Sequence, residues 1–403
     1  MKILILTNQP YPDMTGGSAN KLIGETKYLD KNNHQVYLIS SRGGNPHFHM
    51  EDAKDYVFLK RVGFPYIPLG KSKHIFLFFK MILWGTINLS YFITAFFHSL
   101  SIIKDIDVIS IKGVHSDGLC GVLLKKLFNK RLVYEHAGGF NMKRKKLFKS
   151  MGRGKYLTRL GLWFNTFTER IVYKNCDAIM TEDNMEKYYR DLGFKGTYHI
   201  IPNGRDADIF YPKDESIIKK EYEINGKVIL FVGRLISVKN VDKIIESFAL
   251  IKSKVTLVIV GDGNLREQLQ KKANEISCSN DIHFIIGPKK VAQFYNIADI
   301  FVIASDYEGF PGVLIEAMAC GKIVVAAPVG AIPRVIIDNV NGYLLPEEWT
   351  NKDLAEGMVK GLNAPESVRL RSKRTFDLCY SWDKVIQKFI KIYQGDIDNE
   401  LKK

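Results

Sequence analysis

Short apolar runs of three to five residues recur along the whole chain, separated by stretches in which apolar residues return at helical spacing. Apolar and polar residues do not alternate within these runs, which is typical of strands that are buried on both faces of a parallel sheet. The pattern therefore predicts an α/β protein with two parallel sheets covered by helices. The predicted strands lie at residues 3–6, 36–39, 108–111, 132–134, 178–180, 228–232, 257–260, 282–286, 300–303 and 323–326.

One segment departs from this pattern, because residues 81–103 contain no Asp, Glu, Lys or Arg. A charge-free window of about 20 residues raises the question of a membrane span. Polar residues nevertheless form a narrow seam along the predicted helix, and a span would separate residues 107–111 from their sheet. A buried core helix and a surface helix that dips into lipid both stay open. The seam consists of Thr86, Ser90, Thr94, His98 and Ser101.

The length of 403 residues is long for one domain and sufficient for two, each with its own core. A turn tripeptide at 202–204 marks the expected boundary. Charge supports this division, since the chain up to Arg205 has 31 Lys and Arg against 16 Asp and Glu, whereas the remainder has 27 against 27. The whole net charge of +15 therefore belongs to the first half.

The basic first half, with a dense run of Lys and Arg at residues 143–159, indicates an anionic partner. Nucleic acid is disfavoured, because the sequence has no zinc-finger spacing, recognition-helix pattern or aromatic–basic sheet motif. An anionic membrane surface fits better, and a merely solvated basic face is the alternative. The first residues read as a strand, not a signal peptide, and five scattered cysteines fit reduced thiols. We therefore expect a cytoplasmic protein, peripheral on the inner face of the cytoplasmic membrane.

Two glutamates, Glu308 and Glu316, follow the predicted strand at 300–303 on a glycine-rich turn and the start of a helix. Pro311 is suited to open that helix, and unpaired backbone amides at 312–314 together with the helix dipole favour a phosphate. Glu316 can accept two hydrogen bonds from a vicinal diol such as a ribose, while Glu308 faces the other end of the ligand. This arrangement predicts a nucleotide-sugar site.

The stretch 298–322 resembles the signature of family 4 retaining glycosyltransferases, and further landmarks of that family follow in the expected order along residues 1–394. The resemblance implies the GT-B architecture, in which two Rossmann-like domains with parallel sheets face each other across a deep cleft. Residues 1–203 would bind the acceptor and residues 204–379 the donor, with a helix at about 380–395 packing back on the first domain. The landmarks are residues 15–17, Leu29 with 33–36, 132–136, 200–205, 229–234 with Lys239, 258–263 with Arg266, and Trp382.

The resemblance also implies roles for individual residues. Arg234 and Lys239 would clamp the diphosphate and neutralise charge as the sugar–phosphate bond breaks. Glu308 would hold sugar hydroxyls, and His136 would contact the transferred sugar and the acceptor. The donor-binding residues would be Gly16, Gly17, Gly263, Pro288, Gly309, Phe310, Val313, Leu314 and Glu316.

No metal or other cofactor is expected, since the Asp-x-Asp pairs at 105–107 and 206–208 lie outside the elements of the cleft. His115 is the alternative to the histidine at the end of the 132–134 strand. Three positions depart from the family pattern: Arg205 stands where an apolar residue is usual, Ala331 where a glycine is usual, and Arg334 where an acid is usual.

The activity that the resemblance implies is transfer of a hexose, with retention, from a UDP- or GDP-sugar to a saccharide acceptor. The basic, partly apolar first domain points to a lipid-linked acceptor in bacterial surface polysaccharide synthesis. The alternatives are a nucleotide-sugar epimerase or phosphorylase on the same fold, and an inactive module that binds sugar nucleotides.

Overall fold

The computed structural model describes residues 1–9, 17–41, 57–63, 76–136, 155–252, 254–276, 281–287 and 290–396. Gly16, Pro288 and the basic residues at 143–153 lie outside the described residues. The chain divides into two compact units, of which the first comprises residues 1–202 and 386–403 and the second residues 203–385.

The first unit is built on a parallel sheet of seven strands in the order β3-β2-β1-β4-β5-β6-β7. Its central strands are apolar on both faces and almost fully buried, as expected of a sheet covered by helices. The strands are β1 (Lys2–Thr7), β2 (Gln35–Ser41), β3 (Phe58–Val62), β4 (Val108–Ile111), β5 (Arg131–His136), β6 (Ala178–Thr181) and β7 (Thr197–Ile200). Its described helices are α1 (Gly17–Lys31), α2 (Phe76–Leu100), α3 (Ser116–Phe128), α4 (Lys155–Asn175) and α5 (Glu186–Asp191).

The second unit has a parallel sheet of six strands in the order β10-β9-β8-β11-β12-β13, with a hydrophobic core on each face. The strands are β8 (Lys227–Val232), β9 (Val255–Val260), β10 (Ile282–Ile285), β11 (Ile300–Ile303), β12 (Ile323–Ala326) and β13 (Tyr343–Leu344). The helices are α6 (Ser216–Glu221), α7 (Val241–Phe248), α8 (Arg266–Asn274), α9 (Ala292–Ile297), α10 (Gly312–Ala319), α11 (Ile332–Val335), α12 (Asn351–Leu362) and α13 (Glu366–Cys379). The last helix, α14 (Trp382–Gln394), begins in the second unit and ends in the first.

The prediction of two parallel α/β sheets is confirmed, and each of the ten apolar runs forms a strand. Both sheets reverse their strand order beside their first strand, since β1 lies between β2 and β4, and β8 lies between β9 and β11. In open α/β sheets, ligands bind outside the carboxyl ends of the strands at such a switch point. The ladder between β8 and β11 holds only the pairs Ile229–Ile300 and Leu230–Phe301, so these strands are not paired at their carboxyl ends.

Helix α2 contains residues 81–100 of the charge-free segment and packs one face on the first sheet. Ile87, Tyr91, Ala95 and Ser99 are buried, and the Tyr91 hydroxyl donates to the Ile39 carbonyl at 2.9 Å. Among the described residues, no helix combines the length and the apolar character that crossing a bilayer requires. The outward face of α2 is apolar, with exposed large side chains at Leu89, Ile93, Phe97 and Leu100.

Candidate functional site

The loops that follow β8 and β11 meet at the switch point of the second sheet. The Lys239 ammonium forms an ion pair with the Glu308 carboxylate, and both side chains are largely buried. Ser305 Oγ donates to the same Glu308 oxygen at 2.7 Å. The fold thus brings two predicted catalytic residues into direct contact. Ser305, which was not predicted from the sequence, orients the carboxylate.

Asn240 fixes the loop that carries Lys239. Its backbone is left-handed, with φ of 50°, and its amide nitrogen donates to the Ala304 carbonyl at 2.9 Å and to Asp306 Oδ1 at 2.6 Å. The Asp306 amide in turn donates to the Val238 carbonyl at 2.9 Å. Asparagine tolerates this backbone conformation better than most residues, so a single side chain joins the two loops.

Arg234 lies one residue beyond the turn at the end of β8, and its side chain is exposed. The next residue, Leu235, is buried, and its amide donates to the Asp262 carbonyl at 2.9 Å. An added β-carbon on Gly263 would lie 2.3 Å from the Leu235 carbonyl oxygen, so this close approach of two loops requires glycine. Gly263 therefore has a packing role, and it also lines an open recess of about 510 Å³ with Asp262, Asn264, Arg266, Glu267 and Gln270.

The amino terminus of α10 presents backbone amides beside this pair of loops. Pro311 precedes the helix in an extended conformation, and the Leu314 amide donates back to the Pro311 carbonyl at 3.1 Å. The Leu314 side chain lies fully in the core. Because the Leu314 amide is already bonded, Gly312 and Val313 supply the amides for which the described residues offer no partner. Unpaired amides at a helix amino terminus attract an anion such as phosphate.

Two further predicted donor-binding residues precede α10. The Gly309 carbonyl accepts from the Ala331 amide at 2.9 Å, which ties the turn to the loop after β12. The Phe310 ring is partly buried and packs against Tyr380, with ring centroids 5.8 Å apart. These contacts fix the path of the backbone into the helix.

Glu316 is almost fully buried and has a protein partner on each carboxylate oxygen. Arg205 Nε donates to Oε1 at 2.7 Å, and the Tyr295 hydroxyl donates to Oε2 at 2.9 Å. Burial and the Glu316 charge raise the pKa of Tyr295 well above its ordinary value, so the phenol stays protonated and donates. Neither partner was predicted from the sequence. The departure from the family pattern at Arg205 was a signal for the first, and Tyr295 had none.

In the first unit, His136 ends β5, next to the switch-point strand β4. Burial, helped by the Lys21 charge, lowers the pKa of His136 to about 4, so the imidazole is neutral at pH 7. Tyr134 Oη lies 2.9 Å from Nδ1, and burial raises the pKa of Tyr134, so this phenol stays protonated and can donate to Nδ1 or accept from it. Nε2 is a buried atom for which the described residues offer no hydrogen-bond partner.

A buried cluster of charges lies beside His136 at the carboxyl ends of β4, β5 and β6. Lys21 pairs with Glu135 at 2.9 Å and with Glu182 at 3.1 Å, and Lys112 pairs with Glu25 at 2.5 Å and with Glu135. Burial and the Glu135 charge raise the pKa of Glu25 to about 7. Burial would raise the pKa of Glu135 as well, but the two lysines outweigh it and hold that pKa low.

Helix α1, which carries Lys21 and Glu25, starts at Gly17, so of the two predicted glycines only this one has a described position. The other predicted histidine, His115, directly precedes α3, and its Nδ1 lies 3.3 Å from Thr168 Oγ1. In the part of the chain that the structure describes, no three His, Cys, Asp or Glu side chains are grouped as a metal site would require.

Two family models match the chain. The model described as "Glycosyltransferase Family 4" matches residues 15–209, and that described as "Glycosyl transferases group 1" matches residues 213–375. The two matches follow the division between the two units closely.

Several individual proteins with sequence similarity are named as glycosyltransferases. The lipopolysaccharide 1,2-N-acetylglucosaminetransferase of Salmonella typhimurium is 26% identical over 242 residues, which cover 56% of this chain and 64% of that protein. An uncharacterised glycosyltransferase of Haemophilus influenzae is 24% identical over 387 residues, covering 94% of this chain and 96% of its relative.

Among solved structures, the crystal structure of Anabaena HepE in complex with UDP superimposes with a TM-score of 0.74. The match covers 98% of this chain and 100% of that chain at 17% sequence identity. At this identity the likeness is one of fold.

Proposed function

The chain belongs to the group 1 glycosyltransferases of the family 4 type and has their two-domain Rossmann-like GT-B fold, and on this premise we propose that it transfers a hexose, with retention, from a nucleoside diphosphate sugar to a saccharide. The observation that carries the proposal is the grouping of Lys239, Glu308 and the α10 amides at the switch point of the second sheet. Arg234 follows the same strand as Lys239 and completes the set of cations.

The diphosphate of a UDP- or GDP-sugar would lie against the amides of Gly312 and Val313. Lys239 and Arg234 would neutralise its charge, a point ammonium and a planar guanidinium being suited to phosphate oxygens. These two cations and the helix terminus supply what a divalent metal supplies in other phosphate sites, so we propose a metal-independent reaction.

Retention follows if the hydroxyl of the acceptor attacks from the face that the diphosphate leaves. The bond between the anomeric carbon and the phosphate oxygen breaks, and the bond between that carbon and the acceptor oxygen forms. The departing diphosphate oxygen takes the proton of the acceptor hydroxyl. In this scheme the protein supplies no carboxylate nucleophile; Glu308 holds sugar hydroxyls and positions Lys239.

His136 would act as a hydrogen-bond donor in this reaction. Its ring is neutral at pH 7, and in the tautomer in which Tyr134 donates to Nδ1, its Nε2 would donate to an oxygen of the sugar or the acceptor. A neutral donor orients a hydroxyl without adding charge next to the buried lysines of the first unit.

The acceptor would be a lipid-linked saccharide, reached at an anionic membrane surface. Two features of the first unit support this proposal: the net charge of +15 lies in the first 205 residues, and α2 exposes Leu89, Ile93 and Phe97 at a spacing of four residues. Trp163 and Phe167 on α4 are also exposed and stack on each other. Basic residues attract anionic headgroups, and an exposed apolar stripe can enter the interface.

The proposed activity is tested by release of nucleoside diphosphate from a panel of UDP-, GDP- and ADP-sugars, with and without a bacterial lipid extract. We expect release from one donor, dependent on an acceptor in the extract. Arg234→Met should abolish most of it without a change in melting temperature, because Arg234 is exposed. Lys271→Met, an exposed lysine on α8, is the matched control and should keep full activity. Silence across the panel without nucleotide-induced stabilisation would refute the proposal.

The membrane partnership is tested separately by flotation with liposomes of anionic or zwitterionic lipid. We expect binding to anionic vesicles that weakens with salt. The double substitution Leu89→Ser and Phe97→Ser should reduce binding, whereas Leu378→Ser, equally exposed in the second unit, should not. Equal binding of the wild type and the double variant would remove α2 from the docking surface.

A further inference from the structure

Arg205 is held at both its backbone and its side chain. Its amide donates to the Tyr380 carbonyl at 3.0 Å, and its carbonyl accepts from the Trp382 amide at 3.0 Å. The side chain is almost fully buried, with Nη1 donating to the Gly204 carbonyl at 2.8 Å and Nε donating to Glu316. The guanidinium therefore has one defined position.

Within the part of the chain that the structure describes, the bonds to Glu316 leave half of its acceptor capacity unused. A carboxylate offers about four lone pairs, two on each oxygen. Arg205 takes one at Oε1 and the Tyr295 hydroxyl takes one at Oε2. Each oxygen keeps one lone pair, so the held carboxylate can accept one hydrogen bond at each oxygen from two adjacent hydroxyl groups.

The third guanidinium nitrogen of Arg205 lies against the start of α10. An added β-carbon on Gly312 would lie 1.4 Å from Nη2, so the nitrogen occupies the space that any side chain at position 312 would need. Gly312 is also the first residue of the helix whose amides favour phosphate. A cation, two backbone amides and a carboxylate therefore share one corner of the second unit.

Without Arg205, this corner would combine an anion site with an unpaired carboxylate. The negative charge of Glu316 would oppose a diphosphate at the α10 amides, and in a partly buried site such repulsion is little screened. The ion pair with Arg205 cancels this charge while leaving lone pairs available. Glu316 can thus accept hydroxyl protons next to an anionic ligand.

We propose that Arg205 and Tyr295 are positioning residues that aim the Glu316 carboxylate at the 2′- and 3′-hydroxyls of a ribonucleoside diphosphate, making the site selective for ribose over deoxyribose. The inference deepens the proposed function and rests on it. Arg205 holds the Glu316 carboxylate in place and also cancels its negative charge next to the diphosphate. Tyr295 only holds the carboxylate in place.

A purely structural ion pair makes a different prediction. Buried pairs of this kind can hold a fold together without contacting any ligand. Loss of a structural pair would lower stability with and without nucleotide, and would leave the preference for ribose unchanged. The ratio of ribonucleotide to 2′-deoxyribonucleotide affinity therefore separates the two roles.

The test uses the full chain and measures binding of UDP, GDP and their 2′-deoxy forms by titration calorimetry. In the wild type we expect the better-bound ribonucleotide to bind at least about tenfold more tightly than its 2′-deoxy form, as the loss of a hydrogen bond to a charged group implies. Arg205→Met and Tyr295→Phe should both bring this ratio close to one. Arg371→Met, on α13 of the same unit, should leave it unchanged.

Results for the two variants and for the wild type can each overturn the inference. A ratio that stays at the wild-type value in both variants would leave Arg205 and Tyr295 with a structural role only. If Arg205→Met does not fold, Tyr295→Phe decides alone, because it removes one hydroxyl and no charge. A wild type that binds nucleotide without preferring ribose would sink the inference while sparing the proposed function, whereas a wild type that binds no nucleoside diphosphate would sink both.

Discussion

Lys239 and Glu308, 69 residues apart in the chain, form an ion pair that joins the loops after β8 and β11. In the proposed reaction a diphosphate would compete with Glu308 for the lysine, and the released carboxylate would become available to sugar hydroxyls. Binding of the two ends of the donor would then be coupled through this exchange. We expect Lys239→Met to lower turnover by roughly 100-fold, the scale of a lost charge-stabilising group.

The Lys239→Met variant also separates catalysis from stability. Glu308 keeps its bond from Ser305, so the loss in the free energy of unfolding should be about 1–2 kcal/mol and the variant should stay folded. Activity assays and denaturant titration measure the two effects, with Lys271→Met as the control. Wild-type turnover in Lys239→Met would exclude the lysine from the reaction.

The pH dependence of turnover should carry no contribution from His136. Because its pKa is lowered to about 4, the imidazole stays neutral between pH 5.5 and 8. We expect His136→Gln to lower turnover by roughly 10- to 100-fold while the shape of the pH profile is unchanged. A limb near pH 6.5 that disappears in the variant would show that the histidine titrates and acts as an acid or base.

Glu25 should make the protein less stable as the pH rises. Its pKa is about 7 in the folded state, above the value of about 4.3 for an unfolded chain, so the folded state binds an extra proton between these values. Stability from this group is present below about pH 4.3 and is lost as the pH rises through 7. Glu25→Gln should therefore match the wild type near pH 4.5 and exceed it by about 1–3 kcal/mol at pH 8.

Denaturant unfolding across this pH range measures the difference, with the exposed Glu221→Gln as control. Tyr393 of α14 donates to Glu25 at 2.7 Å, and glutamine can still accept this bond. A constant offset between wild type and Glu25→Gln at all pH values would contradict the assigned proton.

Lys322 should have the opposite effect and make the protein more stable as the pH rises. Burial and the Arg369 charge lower its pKa to about 8, and Nζ donates to the Asn296 carbonyl at 2.9 Å. The cost of burying the charge is full below pH 8 and is relieved as the pH rises towards the unfolded value of about 10.4. Lys322→Met should raise the free energy of unfolding by about 1–2 kcal/mol at pH 7, with the gain shrinking above pH 8. Thermal melts at pH 7 and pH 10 test this.

Metal removal should leave the activity unchanged, as expected if Lys239 and Arg234 alone neutralise the diphosphate. Turnover of the purified protein is measured after dialysis against EDTA and again after Mg²⁺ or Mn²⁺ is added back. Loss of turnover on chelation and its recovery with one of these ions would contradict the metal-independent reaction.

The sequence predicted the buried strands well and the edges of the sheets poorly. Nine of the ten apolar runs became central strands, which are covered on both faces, and the tenth became the edge strand β10. The three strands that were not predicted, β3, β7 and β13, lie at sheet edges. In β3, for example, Phe58 is exposed and Lys60 and Arg61 interrupt the apolar pattern, so burial leaves a weaker signal in the sequence there.

For the site, the sequence indicated the residue types but not their partners. Glu316 was predicted to accept hydroxyl groups, but its pairing with Arg205 spans 111 residues of sequence. Such a contact depends on how α10 packs beside the 202–206 segment, which no local pattern encodes. The same holds for Asn240, whose role follows only from the position of its neighbouring loop.

The contact between Gly312 and Arg205 couples these two positions of the sequence. A β-carbon at position 312 would overlap the guanidinium in its present position, so a side chain there would displace Nη2. The bonds from Arg205 to Glu316 and to the Gly204 carbonyl would have to shift with it. A substitution at Gly312 would thus disturb the Glu316 carboxylate without touching it.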